Sequence, residues 1–341
     1  MRRRGFILLP AWATGASTTR LGGDHHILSL NPLIVDFDLS TLQGCYTAAD
    51  DFYIRNHFDI PAVPQPYSLR TDGEVQKIQI LQMNDPRRIA RKRVGAVVEC
   101  AGDPVKTVSL VSDALWEGWP LGDVISLVGP MREGAHVHLF GRDGYARSVP
   151  VERAMADGLV ISGLNGRPLL RNHGAPWRAL FPGWYGADSV KWLQRISLAS
   201  TPLPPEGSTY LQVWRTSSGS LETEPLPRVL VNSVITKPVE GAVLHAGELQ
   251  SRGVAWSGSG KIRDVQVSPD GESFGARPSS VAMRANTTGP SGTVRSKSTS
   301  EGRSNYPPKQ PKLRQAHSRL RGPRDEWIPA ARTFGTACAA W

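Results

Sequence analysis

Cysteine is scarce in this chain, and what is missing narrows its chemistry. Three cysteines in 341 residues, Cys45, Cys100 and Cys338, lie too far apart for a zinc or iron–sulfur site, and no C-x-x-C-H segment is present to attach haem. No run of about 18 apolar residues occurs, so the sequence encodes no transmembrane helix. WSGSGKI at 256–262 lacks the first glycine of a P-loop and the Ser or Thr that should follow its lysine, which removes a nucleotide-cradling loop. The adjacent pair His25-His26 sits in a polar stretch and reads as a solvated linker rather than a metal pair.

The length suits about two domains, and a hydrophobic content of 40% is enough to bury a real core. A formal charge of +10 would by itself suggest a polyanionic partner. Its distribution argues otherwise. Residues 276–341 carry twelve Lys and Arg against three acids, so only +1 is left on residues 1–275, which are nearly neutral. This tail is rich in Ser, Gly, Pro, Arg and Lys, with no run able to build an apolar face, and is expected to be disordered. A basic arm for nucleic acid and a proline-motif ligand through Pro308 and Pro311 are its functional readings. A solvated extension is the simpler one, and nucleic acid is not the expected partner.

At the other end, Arg3-Arg4-Gly5-Phe6-Ile7 resembles a twin-arginine export signal, with Ala11-Trp12-Ala13 as a cleavage pattern. Its apolar stretch, about Phe6 to Ala13, is at the short end for such a signal. A periplasmic location is expected, with a cytoplasmic one as the alternative.

The punctuation of the chain gives a coarse architecture. Tyr67 to Ile80 alternates around Asp72-Gly73 and Leu159 to Leu170 around Asn165-Gly166, both favoured two-residue hairpin turns. Leu121 to Leu127 and Val151 to Ala156 suit short helices, so residues 31–200 read as a mixed α+β domain. From Val229 onward, short β-rich runs separated by Gly, Pro and Asp-Gly suggest a sandwich. About four strands can be counted there, against about seven in an immunoglobulin-like domain, so the sandwich is incomplete.

Three segments carry candidate chemistry. HGAPWRALFPGWYGADSVKWL at 173–193 begins without helical or strand periodicity, and its glycines, Arg178 and Lys191 suit either a large polar ligand or a turn bracing an aromatic core. Val94 to Val98 reads as a short buried strand ending at Cys100. That places a thiol at a strand end, either as inert core filling or as a soft metal ligand. In FYIRNHF at 52–58, Arg55 and His57 share one face of an extended segment.

In order and rough spacing, FYIRNHF, VVECAG, LNGRPLLRNHGAPWRALFPGWYG and SVKWLQRI resemble the sulfite oxidase family of molybdenum enzymes. The likeness is close over about Asn31 to Leu198 and resumes at VNSVITKPVEGAVLHAGELQSRGVAWSGSGKIRDVQVSPDG, which is similar to the start of that family's dimerisation domain. The fold it implies is α+β: a mixed-sheet, sulfite-oxidase-like molybdopterin domain, an incomplete immunoglobulin-like β-sandwich, and a disordered basic tail. The expected boundaries are 1–27 for signal and linker, 28–205 for the catalytic domain, 228–275 for the partial sandwich and 276–341 for the tail.

The resemblance also implies a molybdenum–molybdopterin cofactor, with Cys100 as the protein's sulfur ligand to the metal. Pterin contacts carry over to Tyr53, Arg55, His57, His173, Arg178, Ser189, Val190 and Lys191. Asp143 in GRDGYARS is a weaker candidate that reads equally as a turn residue before Gly144. Arg55 would lie nearest the metal's oxygens, and Tyr210 in GSTYLQVW stands where an active-site tyrosine is expected. The implied activity is oxygen-atom transfer, on sulfite or a related small sulfur compound or in reverse on a sulfoxide. Electrons would pass to an external acceptor such as a c-type cytochrome, and the chain would form a homodimer. One departure weighs against sulfite: CAGDPVKTV has Val105 where the family's substrate arginine belongs, with only Lys106 beside it. A non-catalytic relic of the family and a nucleic-acid binder acting through the tail are the alternatives.

Overall fold

In the computed structural model of the chain, the described residues are 19–21, 25–42, 44, 46–82, 89–103, 109–203, 211–215, 218–226, 228–243, 252–258, 260, 262, 265–266, 319–321, 327–329 and 337–340. The chain divides into two units, one of residues 1–37 and 46–227, the other of 38–45 and 228–341. Strands dominate both.

In the first unit, β1 (Thr19–Leu21), β2 (His25–Leu30), β3 (Leu33–Val35) and β4 (Ile54–Arg55) form one antiparallel sheet. Next along the chain are β5 (Ser68–Gly73), β6 (Gln79–Gln82), β7 (Lys92–Glu99), β8 (Val111–Pro120), β9 (His136–Gly141), β10 (Ala146–Pro150), β11 (Leu159–Leu164), β12 (Arg167–Pro168), β13 (Arg178–Leu180) and β14 (Leu193–Ala199). A second sheet runs β10-β9-β14-β5-β6, and its β14–β5 pair is parallel, which makes the sheet mixed. A third runs β12-β11-β8-β7, with β13 also paired to β11. A hairpin of β15 (Leu211–Arg215) and β16 (Leu221–Pro225) completes the unit.

The second unit pairs β17 (Asn232–Lys237) with β18 (Arg252–Trp256) and sets β19 (Val265–Gln266) beside β20 (Arg319–Arg321) and β21 (Trp327–Pro329). β22 (Ala337–Ala340) joins β18. Within the segment expected to be a disordered tail, three short pieces, β20, β21 and β22, are described as strands. The rest of the tail lies outside the described residues, as does the N-terminal signal.

The core of the first unit follows from simple alternation. Val137 and Leu139 of β9, Ile196 and Leu198 of β14 and Leu69 of β5 turn to one side of the mixed sheet and are buried. Against them pack Leu121, Val124 and Ile125, the i, i+3, i+4 face of α1 (Leu121–Ser126), which starts directly after Pro120. Ala154 of α2 (Val151–Asp157) joins the same cluster. Trp116, Trp177 and Trp192 are all fully buried. Each such ring removes roughly 150–250 Å² from water, worth roughly 4–6 kcal/mol.

The Asn165-Gly166 turn forms as expected: Leu164 pairs with Arg167, and both turn residues have positive φ, 52° and 77°. The turn at Asp72-Gly73 does not form. Those two residues extend β5 alongside Ser197 and Leu198 of β14, and the chain reverses over 74–78 instead. The parallel neighbour explains the glycine, because a Cβ at Gly73 would stand 2.0 Å from the Leu198 carbonyl oxygen. The Asp72 carboxylate accepts from Arg195 Nε at 2.9 Å and from Arg70. His25-His26 is also not a linker: the pair opens β2, His25 Nε2 meets Asp51 at 3.1 Å and His26 Nδ1 meets Asp36 at 3.1 Å. Among the described residues no cluster of three or more His, Cys, Asp or Glu could hold a metal ion, and no helix is long and apolar enough to cross a membrane.

Candidate active site

The first unit contains a cleft of about 630 Å³, part of it open to solvent, and the three sequence segments meet there. Tyr53, Arg55 and His57 reach it from β4 and its flanks. Cys100 reaches it from the end of β7, and Asp143 from the β9–β10 turn. Arg178 comes from β13, with Ser189 and Lys191 from the loop before β14.

Cys100 follows β7 directly, its backbone N–H donating to the Leu110 carbonyl at 2.9 Å. Its Sγ accepts the Gly102 N–H at 3.4 Å. Burial pushes the thiol pKa up, against that N–H bond and the nearby Arg55 charge. A ligand-free Cys100 is thus a neutral thiol at neutral pH, and a bound soft metal would take it as thiolate.

Arg178 is a buried cation and Lys191 a half-buried one. Arg178 donates to the carbonyls of His173 and Ser189 at 3.3 and 3.2 Å and lies 5.2 Å from the Trp116 ring centre. Its pKa falls to about 10 through burial. Lys191 Nζ donates to Asn56 Oδ1 at 2.7 Å and to the Asn172 carbonyl at 2.8 Å. Burial lowers its pKa well below the usual lysine range, and the Arg178 and Arg55 charges add to the effect while Asp143 opposes it. Among the described residues, none of Arg55, Arg178 and Lys191 has a carboxylate partner at ion-pair distance. Buried charge without a counter-charge is costly, so this cluster calls for an anionic ligand.

Asn56 Nδ2, a buried amide donor on the same cleft, has no partner among the described residues. His173 is 2% exposed; its Nε2 donates to the Ala49 carbonyl at 3.1 Å, and its Nδ1 has no partner among the described residues. His173 does not line the cleft itself. It stands behind Phe52, edge to face at 5.4 Å, and burial with the Lys191 and Arg178 charges brings its pKa down to about 3. His57 does line the cleft, stacked on Tyr145 at 4.4 Å, with its pKa lowered to about 4 by burial and then by Arg55, Arg147 and Lys191.

Backbone geometry holds the cations in place. Gly174 has φ +98°, and a Cβ there would come within 2.9 Å of Lys191 Cβ. Trp192, at φ 48°, donates its N–H to the Gly174 carbonyl and its ring N–H to the Arg171 carbonyl at 3.0 Å. At Gly186 a Cβ would meet the Tyr53 hydroxyl at 3.1 Å and Val98 at 3.0 Å. Asp143 lines the cleft, and its Oδ1 accepts the Tyr145 N–H at 3.1 Å as a turn residue does, while burial raises its pKa. Ser189 Oγ accepts the Phe181 N–H at 3.2 Å.

Val190 is not brought to the cleft by its side chain, which is fully buried in the core, although its carbonyl accepts the Ala179 N–H. Tyr210, Val105 and Lys106 lie outside the described residues. Sequence reasoning missed Asn56, Tyr145, Gly186 and Ala187 as lining residues. Asn56 stood between two residues already singled out in FYIRNHF. Tyr145 stood in GRDGYARS, and Gly186 and Ala187 in the 173–193 segment, both quoted for other residues.

Residues 57–206 match the model of the oxidoreductase molybdopterin binding domain. Sulfite oxidase of Gallus gallus is 35% identical over 256 residues, covering 64% of this chain and 55% of that protein. Sulfite oxidase of Arabidopsis thaliana is 30% identical over 279 residues, covering 68% and 70%. The chain spans about half the length of the vertebrate relatives it matches. The fold is that of the sulfane dehydrogenase SoxCD from Paracoccus pantotrophus, with a TM-score of 0.72 over 96% of this chain and 90% of that one, at 21% identity. The ligand these matches imply is a molybdenum–molybdopterin cofactor, and it suits what the cleft offers among the described residues: a soft thiol, cations without a carboxylate partner and the unpartnered Asn56 amide donor. The chain belongs to the sulfite oxidase family.

Proposed function

We propose that the protein is a molybdopterin-dependent oxidoreductase that moves an oxygen atom to a small sulfur compound, sulfite or a near relative, and passes electrons to an external acceptor such as a c-type cytochrome. The observation that carries this reading is the convergence on one cleft of the Cys100 thiol with the cations Arg55, Arg178 and Lys191, none of which has a carboxylate partner among the described residues. When bound, the cofactor supplies oxygen-atom transfer and a store for two electrons.

The chain's own residues do the rest. Cys100 offers the metal a sulfur donor from a rigid strand end. Arg178 and Lys191 neutralise the anionic part of the pterin, and the low dielectric around them strengthens that grip. His57, neutral at physiological pH, offers a polar edge without adding charge. Arg55 lines the same cleft, and by its match to the family's motif it is the cation that would hold an incoming oxyanion and favour charge that develops on it.

Assays with sulfite and, in the reverse direction, a sulfoxide test the reading on protein made in a host that synthesises molybdopterin. Turnover of sulfite with cytochrome c is expected; loaded enzyme that turns over neither substrate would overturn it. Export to the periplasm through the Arg3-Arg4 signal and dimerisation through an immunoglobulin-like second unit belong to the same proposal. The first is supported by the N-terminal sequence, the second by the motif at 231–271.

A further inference from the structure

Ala187, Asp188 and Ser189 form part of a turn that is tied down at two points by one stretch of chain. Tyr145, just before β10, donates its hydroxyl to the Ala187 carbonyl at 2.7 Å. Arg147, two residues on, donates Nε and Nη2 to Asp188 Oδ1 at 3.0 and 2.7 Å. Asp188 is buried, and its second oxygen accepts from Arg153. The same stretch also reaches the opposite wall, where the Tyr145 ring lies nearly parallel to His57, at an angle of 16°. Arg147 itself is not a lining residue of the cleft.

We propose that Arg147 is a positioning residue that fixes the spacing of the two cleft walls, gripping one through Asp188 and steadying the other beside the Tyr145–His57 stack. The inference rests on the cofactor reading only in what the spacing is for; the bracket itself is independent of any ligand. Two charge-assisted bonds to a buried carboxylate are stronger than neutral ones, and a planar fork restrains direction where an ammonium would not. The restraint is passed on. Ser189 follows Asp188 directly, and its carbonyl accepts from Arg178 Nη2, so a loosened turn also loosens a buried cation.

Arg147→Gln and Arg147→Lys, made in the full chain, test the bracket on ligand-free and loaded protein. With Gln, amide hydrogen exchange at 187–189 should quicken about tenfold. Pterin loss on dialysis should quicken about ten- to hundredfold, as when an outer partner of a metal site is removed. The His57 titration midpoint should rise from about 4, because Arg147 is one of three cations facing that ring, with Arg55 and Lys191, while Tyr145 stacks on it. Lys should keep the midpoint low and restore part of the exchange protection, a rescue that a merely structural role would not tie to charge.

A folded Gln variant with wild-type exchange at 187–189 and a wild-type His57 midpoint overturns the proposal. If Gln does not fold, the Lys variant decides, since wild-type exchange without the fork overturns it equally. Wild-type protein that binds no pterin would sink the functional reading alone, because exchange and titration are read without ligand.

Discussion

Acidifying the ligand-free protein from pH 7.5 to 4.5 exposes the energetic consequence of burying His173. Its folded pKa is about 3, against an ordinary 6.5. Between these values the unfolded chain binds a proton that the folded chain refuses. Stability therefore falls as the pH drops below 6.5, and the loss stops growing near pH 3. At pH 4.5, with each unit worth 1.36 kcal/mol, the loss from this residue is about 2–3 kcal/mol. His57, with a folded value of about 4, acts in the same direction with less weight because it is partly exposed. Asp103 opposes both: burial raises it to about 6, so its folded form takes up a proton first and gains stability as the pH falls toward 3.8. Subtracting a His173→Gln variant removes these shared contributions, since the amide can still donate to the Ala49 carbonyl and never ionises. Urea unfolding at pH 7.5, 5.5 and 4.5 should show the stability difference between the two proteins move by about 2–3 kcal/mol against the wild type. Parallel curves would refute the reasoning. An anion held by Arg178 and Lys191 should shrink the difference, because it offsets the repulsion those cations exert on a protonated His173.

Other substitutions probe the backbone and the charges. Gly174→Ala forces a side chain into a left-handed residue and against Lys191, so unfolding should show a loss of about 1–3 kcal/mol together with weaker pterin retention. Arg55→Gln should lower kcat/KM for sulfite roughly hundredfold and flatten its dependence on ionic strength, read from steady-state rates at two salt concentrations. Deleting residues 276–341 should leave retention on a DNA column unchanged; a salt-sensitive loss would instead support a nucleic-acid role for the tail.

The sequence made the chemistry of the site more legible than its scaffold. A thiol at a strand end, a cation in FYIRNHF and a glycine-rich loop with two cations were all visible, and the fold brings them to one cleft. Asn165-Gly166 was readable because both residues take the positive φ that a two-residue turn demands, and the distant bonds of Asn165 to Leu115 and Thr47 agree with that local preference. Asp72-Gly73 misled because the same two residues answer to a distant partner: β14 approaches so closely that only glycine fits, and Arg195 takes the aspartate. His25 and His26 looked solvated because their carboxylate partners, Asp51 and Asp36, lie 26 and 10 residues away. Tyr145 and Arg147 were invisible for the same reason, since a stacked ring 88 positions away and a carboxylate 41 positions away leave no local pattern.

The central claim is that the sulfur of Cys100 holds molybdenum. Metal and pterin analysis of purified wild type, Cys100→Ser and Cys338→Ser, all made in a molybdopterin-competent host, tests it most directly. Wild type and Cys338→Ser should carry molybdenum with pterin, and Cys100→Ser should lose the metal while staying folded. A folded wild type free of molybdenum, or a Cys100→Ser protein that retains it in full, would contradict the account.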